Sequence, residues 1–387
     1  MRIGVVSLYY PSARNPFFGT YVKEELDSLM EHVDIRLIAP FFNQFWLGEP
    51  HSWTAPRGYP VLRPFSLGFP RWFFQSLCPK SLSVSLSLAG KFFSGCDLVH
   101  VHNAFPDAVA AVKAFRRLYP VVVTVHGSDV NICAMNPSLR PAIVGTLNSS
   151  ARIISVSRDL KNTLREIGVT TEIEIIPNGI DTSLFTPGEK REACKKLGFD
   201  PDLPRVIFIG NFLPVKGIEY LIGALPEVQY FHPECELVLV GAGPGGKDSA
   251  VYRKQIRDLG IERRVRIHEK VPNYELPVWI RASDVLALPS ISEGFGIVAV
   301  EALACGRPVV ATRSGGPEEI VKEGLGFLVP PGDSEPLGDA IVKALFRRGI
   351  LGPERLAESV RERFSLSEIA KRIVKVYEEV CREGCLR

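Results

Sequence analysis

The stretch Ser290-Ile291-Ser292-Glu293-Gly294-Phe295-Gly296-Ile297-Val298-Ala299-Val300-Glu301-Ala302-Leu303-Ala304-Cys305-Gly306-Arg307-Pro308 decides the fold. A branched apolar run from Val285 to Leu288 precedes it and another, Pro308 to Ala311, follows. Runs this short, continuously apolar and bounded by turn residues read as strands buried on both faces. The apolar, alanine-rich span between the glycines and Gly306 reads as a helix that begins near Gly296. Strand, glycine turn, helix and returning strand form one parallel unit covered by its own crossover.

The same rhythm extends in both directions. Further strand candidates are Arg205 to Ile209, Glu236 to Val240, Val265 to His268 and Gly326 to Val329. Upstream they are Arg2 to Leu8, Val33 to Ile38, Leu98 to His102, Val121 to Val125, Arg152 to Val156 and Glu172 to Ile176. The turn-rich segment from Asn178 through Asp181 to Pro187 separates the two sets and reads as a hinge. The expected organisation is an α/β chain of two doubly wound, Rossmann-like parallel-sheet domains, 1–184 and 185–364, facing across a cleft. Residues 365–387 have helical apolar spacing and are expected to cross back to the first domain. In open parallel sheets, ligands bind beyond the carboxyl ends of the strands, so function is sought in the loops there.

A chain of 387 residues, 46% hydrophobic and 23% charged, can bury two cores. Its net charge of +3, spread over 46 basic and 43 acidic residues, argues against a nucleic acid partner. The eight cysteines are scattered without paired Cys-x-x-Cys units, as in a reducing compartment. Cys381 and Cys385 can share a helix face, but a zinc site needs about four ligands and none accompany them. The opening MRIGVVSLYY lacks the features of a signal peptide. No apolar stretch approaches the roughly 20 residues that cross a bilayer. A cytoplasmic protein is expected.

The segment 41–93 breaks the rhythm: Phe41, Phe42, Phe45, Trp46, Trp53, Phe65, Phe69, Trp72, Phe73, Phe74, Phe92 and Phe93 crowd among prolines and basic residues. One reading is an aromatic loop packed on its own domain. The other is a peripheral membrane contact at the cytoplasmic face that also receives an apolar acceptor.

The chemistry concentrates at strand ends. Gly294 and Gly296 permit close backbone approach, and the helix that follows aims unpaired amides and its positive dipole end at an anion, as a diphosphate requires. Glu293 can accept hydrogen bonds from sugar hydroxyls and Glu301 from a ribose diol. A lone pair of glutamates is more often a cap and a solvated helix residue; here the glycine loop and a second motif weigh against that. That motif, Gly210-Asn211-Phe212-Leu213-Pro214-Val215-Lys216-Gly217, follows a strand and carries Lys216, a point charge able to reach a diphosphate. A third turn, Val240-Gly241-Ala242-Gly243-Pro244, is weak evidence alone. In the first half, Gly19 follows the first strand and His126-Gly127-Ser128-Asp129 follows the fourth, while His100 and His102 alternate onto one face of theirs. A histidine in such a place is often structural, but a glycine-rich strand end favours a ligand.

These turns, with the linker Ile176-Pro177-Asn178-Gly179-Ile180-Asp181, resemble the retaining glycosyltransferases of family 4, with the two-domain GT-B fold. The resemblance spans nearly the whole chain and is most specific from 176 to 330. It implies transfer of a hexose-type sugar from a nucleotide-diphosphate donor to a glycan, lipid-linked or small-molecule acceptor in polysaccharide or glycoconjugate synthesis. It further implies that His126, Lys216 and Glu293 act on the transferred sugar and departing diphosphate. Donor contacts would come from Gly19, Asn211, Gly243, Val271, Gly294, Phe295, Gly296, Ile297 and Glu301. His102, Asp129 and Asn178 would lie on the acceptor side. No cofactor and no metal is implied. The family usually carries arginine where Asn211 stands; asparagine can donate a hydrogen bond but no charge, so donor affinity should be lower.

No second carboxylate stands out in the N-terminal loops as a covalent nucleophile, so a two-carboxylate glycosidase scheme is not supported. Two other readings use the same residues. One is a nucleotide-sugar epimerase or a phosphorylase of the same fold. The other is a catalytically weak partner subunit that binds glycan or lipid carrier, motivated by Asn211 and the aromatic segment.

Overall fold

The computed structural model describes residues 1–12, 15–43, 52–54, 58–67, 77–347 and 349–385. They form two compact units: 1–179 with 366–387, and 180–365.

In the first unit, β1 (Arg2–Val6), β2 (Asp34–Ile38), β3 (Phe41–Asn43), β4 (Ser52–Thr54), β5 (Pro60–Leu62), β6 (Phe65–Leu67), β7 (Leu98–His102), β8 (Val121–Val125), β9 (Arg152–Ser155) and β10 (Ile173–Ile175) occur in that order. Among the described residues one sheet has eight strands, ordered β10-β9-β8-β7-β1-β2-β5-β4, parallel except for the β4–β5 pair. The six strands read from the sequence are its parallel core. The additions come from the aromatic segment, where β3 and β6 form a further two-stranded parallel sheet. Phe41 and Phe65 meet edge-on there, with ring centres 6.0 Å apart, and Phe93 is fully buried against Phe115. Phe45, Trp46, Phe69, Trp72, Phe73, Phe74 and the Trp53 side chain lie outside the described residues.

The helix Leu366–Cys385 belongs to this unit. Its Ile369, Ile373, Val376, Tyr377 and Val380 recur at helical spacing and are buried with Val22, Leu26 and Leu29 of the helix Thr20–Leu29. Arg152 beneath it pairs with Glu383 at 2.7 Å. The Cys385 side chain lies outside the described residues, and no described cysteine forms a disulfide.

The second unit contains β11 (Arg205–Ile209), β12 (Glu236–Ala242), β13 (Val265–Glu269), β14 (Val285–Leu288), β15 (Val309–Thr312) and β16 (Gly326–Val329), ordered β13-β12-β11-β14-β15-β16 and all parallel. Strand order reverses between β11 and β14, which in a doubly wound sheet opens the crevice that receives a ligand. The corresponding reversal in the first unit lies between β1 and β7. β7 and β8 are buried along their whole length, so the polar side chains they carry, His100, His102 and Thr124, are enclosed by the core. No described helix is long and apolar enough to cross a membrane.

Candidate active site

In the second unit the loops after β11 and β14 are stitched together at the reversal. The amide of Ile291 donates to the carbonyl of Val215 at 2.8 Å. Gly217 has φ 62°, and a Cβ there would stand 2.2 Å from the Pro289 carbonyl oxygen. Glycine is therefore required by the docking of one loop on the other. Gly241 at the end of β12 packs as closely on Gly210, where a Cβ would meet its carbonyl oxygen at 2.0 Å.

This docking sets Lys216 against Glu293. The ammonium donates to Glu293 Oε2 at 2.6 Å and the Ser290 hydroxyl to the same oxygen at 3.0 Å. Thr312 anchors Ser290 through its carbonyl. The Glu293 backbone is clamped to the next loop, its amide donating to Ser314 O at 2.9 Å and its carbonyl accepting from Gly316 N at 2.9 Å. The two side chains are 22% and 13% exposed, so the pair is half-sheltered and held at a fixed place.

Gly296, at φ 91°, turns the chain into the helix Ile297–Ala304, whose first turn has no side-chain cap. Its leading amides remain available to an anion. Glu301 is buried at 5% exposure one turn further on. Phe295 is 3% exposed and packs on Phe364 with ring centres 5.7 Å apart, so its side chain is core and only its backbone can serve a ligand. Gly294 is buried, Ile297 and Val271 are half-buried, and Asn211 is exposed. The amide of Gly243 already donates to both carboxylate oxygens of Asp248, each at 2.9 Å. That hydrogen bond closes the turn on itself.

In the first unit, Gly19 has φ 72° and starts the helix Thr20–Leu29; a Cβ would meet the Tyr9 carbonyl carbon at 2.2 Å. The chain's own β1 loop requires the glycine. Asp129 supports the loop after β8 by accepting from the amides of His126 at 3.1 Å, Gly127 at 2.8 Å and Ala104 at 2.8 Å. His126 is half-buried, meets Tyr21 in a tilted ring contact with centres 4.8 Å apart, and touches His102 through Nε2 to Nδ1 at 3.1 Å. Burial pushes His126 down to about 4 against the opposing pull of Asp129 and a hydrogen bond with Asn178. His100 and His102 do share a face, with ring centres 4.4 Å apart, and both are fully buried. His102 is therefore beneath the site rather than on its surface.

Sequence reasoning missed Ser290, Thr312 and Glu25. Only the tertiary contacts mark the first two. Glu25 had a signal: with Val22, Leu26 and Leu29 it falls at the i, i+3, i+4, i+7 spacing of a buried stripe.

Comparison with known proteins agrees with this architecture. Residues 18–184 match the family described as Glycosyltransferase Family 4 and residues 189–363 that described as Glycosyl transferases group 1. D-inositol 3-phosphate glycosyltransferase of Segniliparus rotundus is 31% identical over 87% of this chain and 79% of its own. Sucrose-phosphate synthase from Thermosynechococcus elongatus superposes with a TM-score of 0.82 at 23% identity, covering 98% of both chains. Anabaena HepE, solved in complex with UDP-glucose, superposes at 0.76 and 22% identity, covering 98% of this chain and 100% of that one.

Proposed function

The chain belongs to the family 4 glycosyltransferases, and from that premise we propose that it moves a hexose-type sugar from a nucleoside-diphosphate donor to a hydroxyl acceptor, with retention at the anomeric carbon. The observation that carries this reading is the meeting of Lys216, Glu293 and the uncapped helix Ile297–Ala304 where the second sheet reverses its strand order. The bond from the anomeric carbon to the diphosphate oxygen breaks and negative charge collects on that oxygen. Lys216 and the amides of Gly294 to Ile297 stabilise the charge where it develops, which is the interaction that accelerates transfer. The acceptor oxygen bonds to the same face of the sugar, and its proton passes to the departing phosphate.

Glu293 positions Lys216 and accepts from sugar hydroxyls, and Glu301 takes the ribose. His126, braced by Asp129 and Asn178, meets the transferred sugar, with Gly19 shaping the loop beside it. Neither metal nor cofactor is required, because the ammonium and amides supply the positive charge. A UDP complex of a protein with the same fold supports a uridine donor, and inositol 3-phosphate, named for a relative, is a model for a small acceptor. The aromatic segment 41–93 supports a lipid-linked or growing glycan met at the cytoplasmic face of a membrane.

A thermal-shift screen against UDP-, GDP- and ADP-sugars tests the donor, since a ligand bound only by the folded state raises Tm. Absence of a shift with every nucleotide sugar would sink the proposal. Release of nucleoside diphosphate with and without acceptor separates transfer from hydrolysis.

A further inference from the structure

Beneath His126 runs a file of buried polar groups, whose interpretation rests on the role just given to that histidine. Glu25 Oε1 lies 3.7 Å from His102 Nε2, and neither atom has a hydrogen-bond partner. On the other side of the ring, His102 Nδ1 lies 3.1 Å from His126 Nε2, with the two rings stacked 19° from parallel. His126 Nδ1, at the far end, is buried and makes no hydrogen bond of ordinary geometry. Asp129, and after it the Asn178 side chain, favour a proton on this ring.

Two neutral histidines joined nitrogen to nitrogen share one bonding hydrogen, so the hydrogen on one ring dictates that on the other. A neutral Glu25 has an O–H to give and only His102 Nε2 faces it unpaired. His102 then carries its hydrogen on Nδ1 and donates to His126 Nε2, which leaves the His126 hydrogen on Nδ1. An ionised Glu25 reverses every step and leaves a bare lone pair at Nδ1. We propose that Glu25 is a positioning residue that acts through His102 to place the His126 hydrogen on Nδ1, so that this buried edge of the ring is a hydrogen-bond donor rather than a bare lone pair.

Burial pushes the Glu25 carboxyl up to about 8, which keeps it in the acid form at neutral pH. The groups facing the file from the surrounding elements are His100 and Thr124 of β7 and β8, Tyr377 of the last helix, Tyr21, Asp129 and Asn178. His100 has both nitrogens engaged, Nδ1 with the Tyr377 hydroxyl and Nε2 with that of Thr124, each at 2.7 Å. That engagement also disfavours a metal ion among Glu25, His100 and His102, whose ligand atoms lie within 4.8 Å of one another.

The test reads the hydrogens directly. Nitrogen-15 spectra of the full chain labelled in its seven histidines, assigned with His126→Gln, distinguish an Nδ1–H from an Nε2–H ring by chemical shift. At mildly acidic pH the wild type should show His126 as Nδ1–H, changing to Nε2–H as pH rises through about 8. In Glu25→Gln, whose amide still donates but cannot ionise, that change should vanish while UDP affinity stays at the wild-type value. An Nε2–H ring at mildly acidic pH, or the same transition with and without Glu25, overturns the proposal. If Glu25→Gln does not fold, the wild-type titration decides alone. Failure of UDP-sugar transfer by the wild type removes the reading of the reaction, whereas these spectra judge the tautomer independently of activity.

Discussion

The two sheets end in polar sites built on opposite electrostatic principles. The second unit places formal charges together and pairs them: Lys216 with Glu293 at the carboxyl end of the sheet, and fully buried Arg205 with Glu236 at the opposite end, each at 2.6 Å. Burial alone would push Glu236 up, but hydrogen bonds from Arg205 and Arg266 outweigh it and hold the carboxyl below its ordinary value. The first unit also pairs a buried arginine, Arg152, at the opposite end of its sheet, but around His126 it buries titratable groups that form no close ion pair. Burial drives His100 down to about 3 and His126 to about 4, and lifts Glu25 to about 8. Paired charges suit a site that must oppose developing negative charge, whereas neutral groups relay hydrogens and fix direction.

The largest way to break this comparison is to remove the charge. Lys216→Ala should lower transfer by about 10²–10³-fold, the usual cost of losing one preorganised cation or donor at developing charge. The fold should survive, since the ammonium is partly exposed and makes no core contact. Glu293→Gln should fall in the same range, because it frees Lys216 from its anchor as well as losing sugar contacts. Wild-type rates in both variants would move the site elsewhere.

Next comes the docking that creates the pair. Gly217→Ala places a methyl 2.2 Å from the Pro289 carbonyl oxygen at φ 62°, a backbone-to-backbone clash that no rotamer relieves. A loss of roughly 2–4 kcal/mol is expected in unfolding of the second unit, together with weakened nucleotide binding. Gly245→Ala is the control: its φ is also positive, but a Cβ there meets nothing within 4 Å. Equal losses at both positions would show that strain, not docking, is what Gly217 relieves.

These glycines also explain what was legible. Buried parallel strands are continuous branched runs, so Leu98–His102, Arg205–Ile209 and Val285–Leu288 could be read to the residue. The three-residue strands Pro60–Leu62 and Phe65–Leu67 carry no period that distinguishes them from an aromatic loop. The glycine turns of the second unit announced themselves because close backbone approach restricts the residue type. The hydrogen file of the first unit was legible only in part: Glu25 falls on the buried stripe of its helix, but nothing in the sequence joins it to the histidines that β7 and β8 bring over it. At Gly19 and Gly243 the sequence did not show the chain's own neighbours, Tyr9 and Asp248, which pack against them.

A smaller effect separates the units by pH. Glu25 is raised from 4.5 to about 8, so its contribution to stability is full below 4.5 and lost as pH rises through about 8. The histidines are depressed from 6.5 to about 4 and 3, so theirs is full above 6.5 and lost as pH falls. Glu236, held low, acts only on the acid side. Calorimetry with UDP to mark the second unit should show the first losing Tm on both sides of neutrality. Glu25→Gln should reduce the alkaline loss, the remainder falling to Asp107, which burial also raises; an unchanged loss would place its cause outside the hydrogen file.

The smallest expected change sharpens the comparison by adding charge where the family usually has it. Asn211 lies at the end of β11, exposed, on the same loop as Lys216. Arginine there would bring a second, bidentate cation to the diphosphate without displacing a buried group. Because the new cation is exposed, solvent screens it, and a gain of about threefold to tenfold in UDP affinity is expected. The gain should shrink as salt is raised, which separates a charge effect from a packing effect. Calorimetric titration of Asn211→Arg at low and high ionic strength makes the measurement. Unchanged affinity at low salt would mean that the diphosphate does not pass residue 211, and that Lys216 and the helix amides hold it without a second cation.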